Sequence, residues 1–277
     1  MKVLSVFNIK GGVGKTATSV NLAWLSARDG ARTLLWDLDP QGAATFYFRI
    51  KPKVRGGGNR LIRGKSDPME AVRGTDFPDL DLLPADLSYR EMSSTLAREE
   101  EGSGRLREVL EPLAEHYDRV FLDCAPNLSE ISDAIFTATD TLLVPTVPTT
   151  LSLRTLAQLM KYLKREDGPR PEVLPFFSLV DRRKALHRRV CEYVRAEGLG
   201  FLEAEIPYSS TVEKMGLSRN PVFEYARRDP AVRAYEALWS EVLAHHEGRG
   251  NTEAVYRKST RKALQEAARK DLGNGRR

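Results

Sequence analysis

Seven consecutive residues, Lys10-Gly11-Gly12-Val13-Gly14-Lys15-Thr16, follow two residues after a short apolar run, Val3–Phe7. Glycines let backbone N–H groups approach an anion closely and supply the positive-φ turns that a phosphate cradle requires. A lysine in such a loop reaches β- and γ-phosphates, and the hydroxyl after it reaches Mg²⁺. The string is therefore suited to binding a nucleoside triphosphate, with Lys15 on the phosphates and Thr16 on the metal. The helix that begins near Lys15 and runs on through Ala17 adds free N–H groups and the positive end of its dipole. The alternative is a glycine-rich turn with no ligand, but a string of this kind arises by chance in roughly one chain in ten thousand or fewer at ordinary residue usage.

Two further segments place carboxylates where such a ligand would lie. In Trp36-Asp37-Leu38-Asp39-Pro40-Gln41-Gly42 the aspartates close a second apolar run, Thr33–Trp36, and Asp39 lies 24 residues beyond Lys15. Arg119-Val120-Phe121-Leu122-Asp123 is a third apolar run that ends in an acid. Transfer of a phosphoryl group to water asks mainly for in-line positioning and charge stabilisation. A carboxylate at the C-terminal end of a parallel strand stands beside the loop where such a sheet binds its ligand.

Ile9 stands where the general P-loop pattern wants glycine, and Lys10 is an extra lysine. This form resembles the deviant Walker A motif of the ParA/MinD group of ATPases, and the fit is best to the short ParA-type partition proteins that lack an N-terminal DNA-reading domain. The resemblance implies ATP and Mg²⁺ as ligands, bound by Lys10, Gly11, Gly12, Val13, Gly14, Lys15, Thr16 and Ala17. It implies that Lys10 crosses an ATP-sandwich homodimer to the partner subunit's phosphates. It also makes Asp39 a positioner of the attacking water, and Thr16, Asp37 and Asp123 the metal end. Cys124-Ala125-Pro126-Asn127 would open the second switch, with Cys124 a packing residue. Thr141–Pro148, Asn220–Tyr225 and Ala234–Trp239 resemble later family segments, so the likeness spans about residues 1–246. Pro207 and Ser209 are the adenine-side candidates. There the chain departs from the family, with Pro207-Tyr208-Ser209 for the usual Pro-Arg-Asn and Thr211 for a frequent arginine. Those arginines are associated with DNA contact, so that surface does not carry over.

The elements that must position these residues follow from periodicity. Strand signals recur at Leu80–Leu83, Arg119–Leu122, Thr141–Val144, Val173–Leu179 and Phe201–Ile206, with helical patterns at about 105–116, 151–165, 183–197 and 231–246. Short apolar strands alternating with helices predict an α/β fold, a mostly parallel twisted sheet with helices on both faces. Residues 1–250 are expected to form one ATPase domain, with 49–67, rich in Lys, Arg and Gly, as a mobile basic loop outside the core.

Composition narrows the rest. With 277 residues, 41% hydrophobic and 29% charged, the chain has an ordinary globular make-up, not a collagenous, disordered or membrane one. Two cysteines are too few for a disulfide framework and point to a reducing compartment, and the four histidines read as surface or helix-end residues. No apolar run approaches a membrane span, so the expected location is the cytoplasm.

The formal net charge is +5. Residues 251–277 hold eight basic and three acidic residues, which accounts for all of that excess. At 100° per residue Val255 and Leu264 fall on opposite faces, so this tail reads as helical, basic and electrostatic rather than membrane-inserting. Three basic clusters compete for contact with non-specific DNA: the 49–67 loop, with Arg49, Lys51, Lys53, Arg55, Arg60, Arg63 and Lys65; Arg182, Arg183 and Lys184 with Arg188 and Arg189; and the tail, with Arg257, Lys258, Arg261 and Lys262. Lys214 and Arg219 are further candidates. The resemblance adds a ParB-like or cargo-adaptor protein that stimulates hydrolysis. A scaffold that positions a non-DNA cargo, with the basic regions as protein-docking surfaces, is the second functional reading.

Overall fold

A computed structural model of the chain describes residues 1–92, 94, 102–128, 130–164, 170–248 and 258–269. Its centre is a sheet of eight strands: β1 (Lys2–Val6), β2 (Thr33–Asp37), β3 (Arg73–Gly74), β4 (Leu80–Leu83), β5 (Arg119–Asp123), β6 (Thr141–Thr146), β7 (Glu172–Val180) and β8 (Glu205–Pro207). They lie in the order β3-β4-β2-β5-β1-β6-β7-β8. All pair in parallel except β3 with β4.

The strand sequences explain this arrangement. β2, TLLWD, is buried at every residue, as a parallel strand covered on both faces must be. Successive side chains point to opposite faces, so Leu34 and Trp36 join one apolar cluster and Leu35 the other. β5 divides in the same way, with Val120 and Leu122 on one side and Phe121 on the other. One face carries the helices α1 (Lys15–Arg28) and Pro230–His246, whose Val232, Tyr235, Leu238, Trp239 and Val242 form a buried stripe at helical spacing. Asp229 caps that second helix by accepting from the Ala231 N–H, and Pro230 occupies its first position. The other face is covered in part by the Glu130–Ala138, Thr150–Leu163 and Ala185–Ala196 helices.

β1 lies between β5 and β6: the chain passes from it to β2–β5 on one side and only later crosses to β6–β8 on the other. That reversal of strand order opens a crevice outside the strands' carboxyl ends.

Several expectations need correction. Segment 49–67 is not excluded from the core. It contains the helix α3 (Gly58–Ile62), and Val54, Leu61 and Ile62 are buried. Gly58 packs so tightly under Tyr89 that a Cβ there would lie 1.9 Å from the ring, a reason for glycine that composition alone could not disclose. The strand expected over Phe201–Ile206 is only Glu205–Pro207, and the helix expected over 105–116 is Arg105–Leu110 followed by a tighter turn at Glu111–Glu115, where Pro112 interrupts the ladder. His187 stands in the first turn of the Ala185–Ala196 helix, at a helix end as expected, but is buried.

The tail is not a free appendage. Its helix Lys258–Arg269 packs against Thr150–Leu163, and Thr260, Leu264 and Ala267 are buried with Ala263 beside them. The spacing 260, 263, 264, 267 is a helical stripe. Counting only large aliphatics hid it, because three of its four members are threonine or alanine. Arg257 lies outside the described residues.

Candidate functional site

The loop between β1 and α1 is shaped by its glycines. Gly12 and Gly14 have φ of 68° and 90°, and Gly14 caps α1 with no side-chain hydrogen bond. A Cβ on Gly14 would also lie 2.9 Å from the Ser178 Oγ of β7, so that position excludes every other residue twice over. The first N–H groups of α1, from Lys15, Thr16 and Ala17, have no intrahelical partner and face the crevice end of the sheet. Asn8 anchors the loop, donating through Nδ2 to the Pro145 carbonyl (2.8 Å) and accepting at Oδ1 from the Lys10 N–H (2.9 Å).

Lys15 is buried, and its Nζ donates to the Lys10 carbonyl at 3.3 Å, so it folds back over the loop. Burial lowers the pKa of its ammonium, opposed by the nearby Asp123, Cys124 and Asp39. Val13 is buried and Gly11 and Gly12 are exposed. Thr16, Ala17 and Lys10 are half-buried at the same edge.

Asp37 and Asp123 are register partners on β2 and β5, both fully buried. Asp37 is occupied: Oδ2 accepts from the Thr45 N–H and hydroxyl, both at 2.8 Å, and Oδ1 from the Asp39 N–H at 3.2 Å. Asp123 Oδ1 accepts from the Ser19 hydroxyl at 2.9 Å and the Thr16 hydroxyl also bears on this carboxylate, while the buried Oδ2 meets no hydrogen-bond partner among the described residues. Burial pushes both carboxyls above their ordinary range. Asp123 is raised further by Asp37, and Asp37 is held back by its bonds to Thr45. Cys124 is buried with its thiol pKa well above the usual value, which makes it an inert packing group.

Asp39 is half-buried at the mouth of the crevice, with Oδ1 accepting from the Gln41 N–H at 2.9 Å. The turn it opens closes at Gly42 (φ 66°), which caps α2 (Ala43–Tyr47). Pro207 pairs with Val180, two residues past Ser178, so it shares the carboxyl edge of the sheet with the loop. The Ser209 hydroxyl accepts from the Thr211 N–H at 3.1 Å as a helix cap.

The expected DNA contacts divide. Arg182 pairs with Glu205 at 2.9 Å, Arg183 grips both oxygens of Asp181, and Arg188 donates to the carbonyls of 182 and 183. Arg189 is half-buried on the Ala185–Ala196 helix, and Lys184 and Lys214 are exposed. Arg219 sits over the Phe46 ring at 4.4 Å and donates to the Phe46 carbonyl, bracing α2. Lys258 and Arg261 lie on the tail helix, and Lys262 is exposed beside Glu266.

Motif reading overlooked Ser19 and Thr45, which orient the two buried aspartates. Ser19 was findable: it stands four residues after Lys15, on the same side of α1, as a polar residue on an otherwise buried face. Thr45 carries no such signal, because its role depends on α2 folding back over β2.

A glycine loop at a helix start, a buried lysine over it and paired aspartates at adjacent strand ends define a P-loop nucleotide-binding protein. A family model described as an AAA domain matches residues 1–168. The chromosome partitioning protein ParA of Caulobacter vibrioides is 33% identical over 257 residues, covering 90% of this chain and 96% of that protein. The sporulation initiation inhibitor protein Soj of Bacillus subtilis is 34% identical over 256 residues, covering 88% and 99%. Among solved structures, cobyrinic acid a,c-diamide synthase of Mycobacterium smegmatis with bound ADP and magnesium superposes with a TM-score of 0.75 at 27% identity, over 91% of this chain and 98% of that one. The chain belongs to the ParA/MinD family of deviant Walker A P-loop ATPases.

Proposed function

We propose that this protein is an ATP- and Mg²⁺-dependent switch that dimerises on ATP, binds DNA without sequence preference and releases it on slow, partner-stimulated hydrolysis, acting in DNA partition in the cytoplasm. The observation that carries the nucleotide reading is Lys15, buried over a cradle of free N–H groups and facing the crevice that Asp123 closes. The orphaned Asp123 Oδ2 and the Thr16 hydroxyl are hard oxygen donors of the kind Mg²⁺ takes, one or two from protein and the rest from water and phosphate. Among the described residues no group of three or more His, Cys, Asp or Glu could hold a metal by itself, so the phosphates would complete the shell. Mg²⁺ bound there neutralises charge on the β- and γ-phosphates.

In this reading Lys15 holds the phosphates of its own subunit and Lys10 those of the partner subunit. Asp39 orients the water from the open side, and Asp37, tied to Thr45, fixes the first turn of α2 relative to the metal end. Pro207 and Ser209 flank the adenine. The names of the two relatives, a chromosome partitioning protein and Soj, support partition over metabolic synthesis. One observation favours a second reading, positioning of a non-DNA cargo: Arg182 and Arg183 are engaged by Glu205 and Asp181.

Light scattering with and without Mg-ATP tests the switch. Wild type is expected to shift from monomer to dimer with ATP, Lys15→Ala to bind no nucleotide and Lys10→Ala to bind it as a monomer. A Lys10→Ala dimer equal to wild type would remove the cross-subunit contact from the account.

A further inference from the structure

At the β3 edge of the sheet, far from the arginines of the Ala185–Ala196 helix, Ile50, Lys51, Lys53, Arg55, Arg73 and Gly74 line an open cleft of about 600 Å³. Four of these six residues are cations, all exposed, and none is an acid. The nearby acids are already engaged. Asp76 is taken by Arg49, Asp81 accepts from the Tyr117 hydroxyl, and Asp86 accepts from the Val54 N–H and from Ser88. Among the described residues no salt bridge joins Lys51, Lys53 or Arg55 to an acid, in contrast to Arg182 and Arg183.

The cleft is built, not draped. Val54 is buried between Lys53 and Arg55 and turns both outward, the Lys53 N–H donates to the Lys51 carbonyl, and Arg73 Nη1 is fixed by the carbonyls of Glu70 and Val72. It also adjoins the turn after Asp39 and the helix α2. Pro52, between the two lysines, lies against Gly42, where a Cβ would come within 3.5 Å of it, and the Ile50 N–H donates to the carbonyl of Thr45, the residue that holds Asp37.

Accepting the DNA-binding reading above, we propose that this cleft is a docking site for the phosphodiester backbone of nucleic acid, with Lys51, Lys53 and Arg55 as the phosphate contacts. Three unpaired cations in one concavity suit a regularly spaced polyanion, and such contacts carry affinity without sequence preference. The Ile50 N–H bond to the Thr45 carbonyl ties the cleft to α2, whose Thr45 holds Asp37. The cleft and the Arg182–Arg189 surface lie at opposite edges of the sheet, seven strand spacings or ~34 Å apart, so substitutions separate them cleanly.

Fluorescence anisotropy with a random-sequence duplex, titrated across a salt series in Mg-ATP, tests this. The triple variant Lys51→Gln, Lys53→Gln, Arg55→Gln is expected to lose about tenfold or more in affinity and to show a log–log salt slope shallower by about 2–3, at ~0.9 per lost phosphate contact. Lys51→Arg with Lys53→Arg should retain both, and an unchanged circular dichroism spectrum shows that the triple variant folds. If the triple variant keeps wild-type affinity and slope while Arg182→Gln with Arg188→Gln loses them, the cleft is not the site although the DNA reading stands. If wild type binds no duplex at low salt in any nucleotide state, both fall. If the triple variant instead loses only binding to polyglutamate, the cleft serves an acidic protein and the inference is overturned.

Discussion

Asp37 and Asp123 stand side by side at the carboxyl ends of β2 and β5, one with both oxygens engaged and the other with a buried oxygen that no described residue hydrogen-bonds. A buried, unpaired carboxylate oxygen is costly unless a ligand meets it. The pair thus differs in engagement, with Asp37 holding the first turn of α2 and the turn at Asp39, and Asp123 left open towards the crevice.

Thr45 is the hinge of that division. Its hydroxyl donates to Asp37 and accepts from the Ala85 N–H at 2.9 Å, tying α2 to the end of β4. Thr45→Val keeps the shape and the backbone N–H bond to Asp37 but removes the hydroxyl's bond to it and leaves the Ala85 N–H without its acceptor, so stability should fall by about 1–3 kcal/mol. A urea melt measures it, and an unchanged midpoint would show that neither bond matters.

Asp39→Ala should bind nucleotide as wild type does and dimerise on ATP, yet lose turnover by about 10²-fold, as expected when a group that acts on the transferring phosphoryl's nucleophile is removed. Steady-state phosphate release together with binding of a fluorescent ATP analogue reads the two effects separately. Turnover at the wild-type rate would remove Asp39 from the chemistry.

His187 is buried with Nδ1 accepting from the Asp181 N–H at 3.1 Å, a bond that only the neutral ring can make. Burial, then Lys184, lower its pKa below the ordinary 6.5. The unfolded chain binds the proton more tightly, so the stability this ring contributes is present above pH 6.5 and lost as pH falls through the depressed folded value. The His187 ring resonances followed by NMR should titrate below 6.5, and a midpoint above it would contradict the buried neutral tautomer.

Leu264 is fully buried where the tail helix meets Thr150–Leu163. Leu264→Ala should weaken that docking by about 2–5 kcal/mol. Amide exchange across 258–269 should accelerate while β1 and β5 stay protected. Unchanged exchange in the helix would mean that the stripe does not hold it.

What the sequence disclosed and what it did not have a common physical basis. The Lys10–Thr16 cradle was legible because a phosphate site needs its glycines, lysines and hydroxyl contiguous, and Asp37 and Asp123 were legible because each ends a recognisable apolar strand, with Asp39 two residues past the first. The fold class followed from β2 and β5, whose unbroken apolar runs demand cover on both faces. Gly58 under Tyr89, Pro52 against Gly42 and Thr45 on Asp37 were hidden, since each rests on segments brought together only by the finished fold. The stripe under the tail was hidden for another reason: threonine and alanine were not counted as apolar.

The central claim is that occupancy of the Lys15 cradle controls binding to DNA. The most direct measurement is anisotropy of a random-sequence duplex titrated with the wild-type protein in Mg-ATP, in Mg-ADP and without nucleotide, at low and at moderate salt. The account predicts tight binding with ATP alone, weakening steeply as salt rises. Equal affinity in all three states, or none in any, would contradict it.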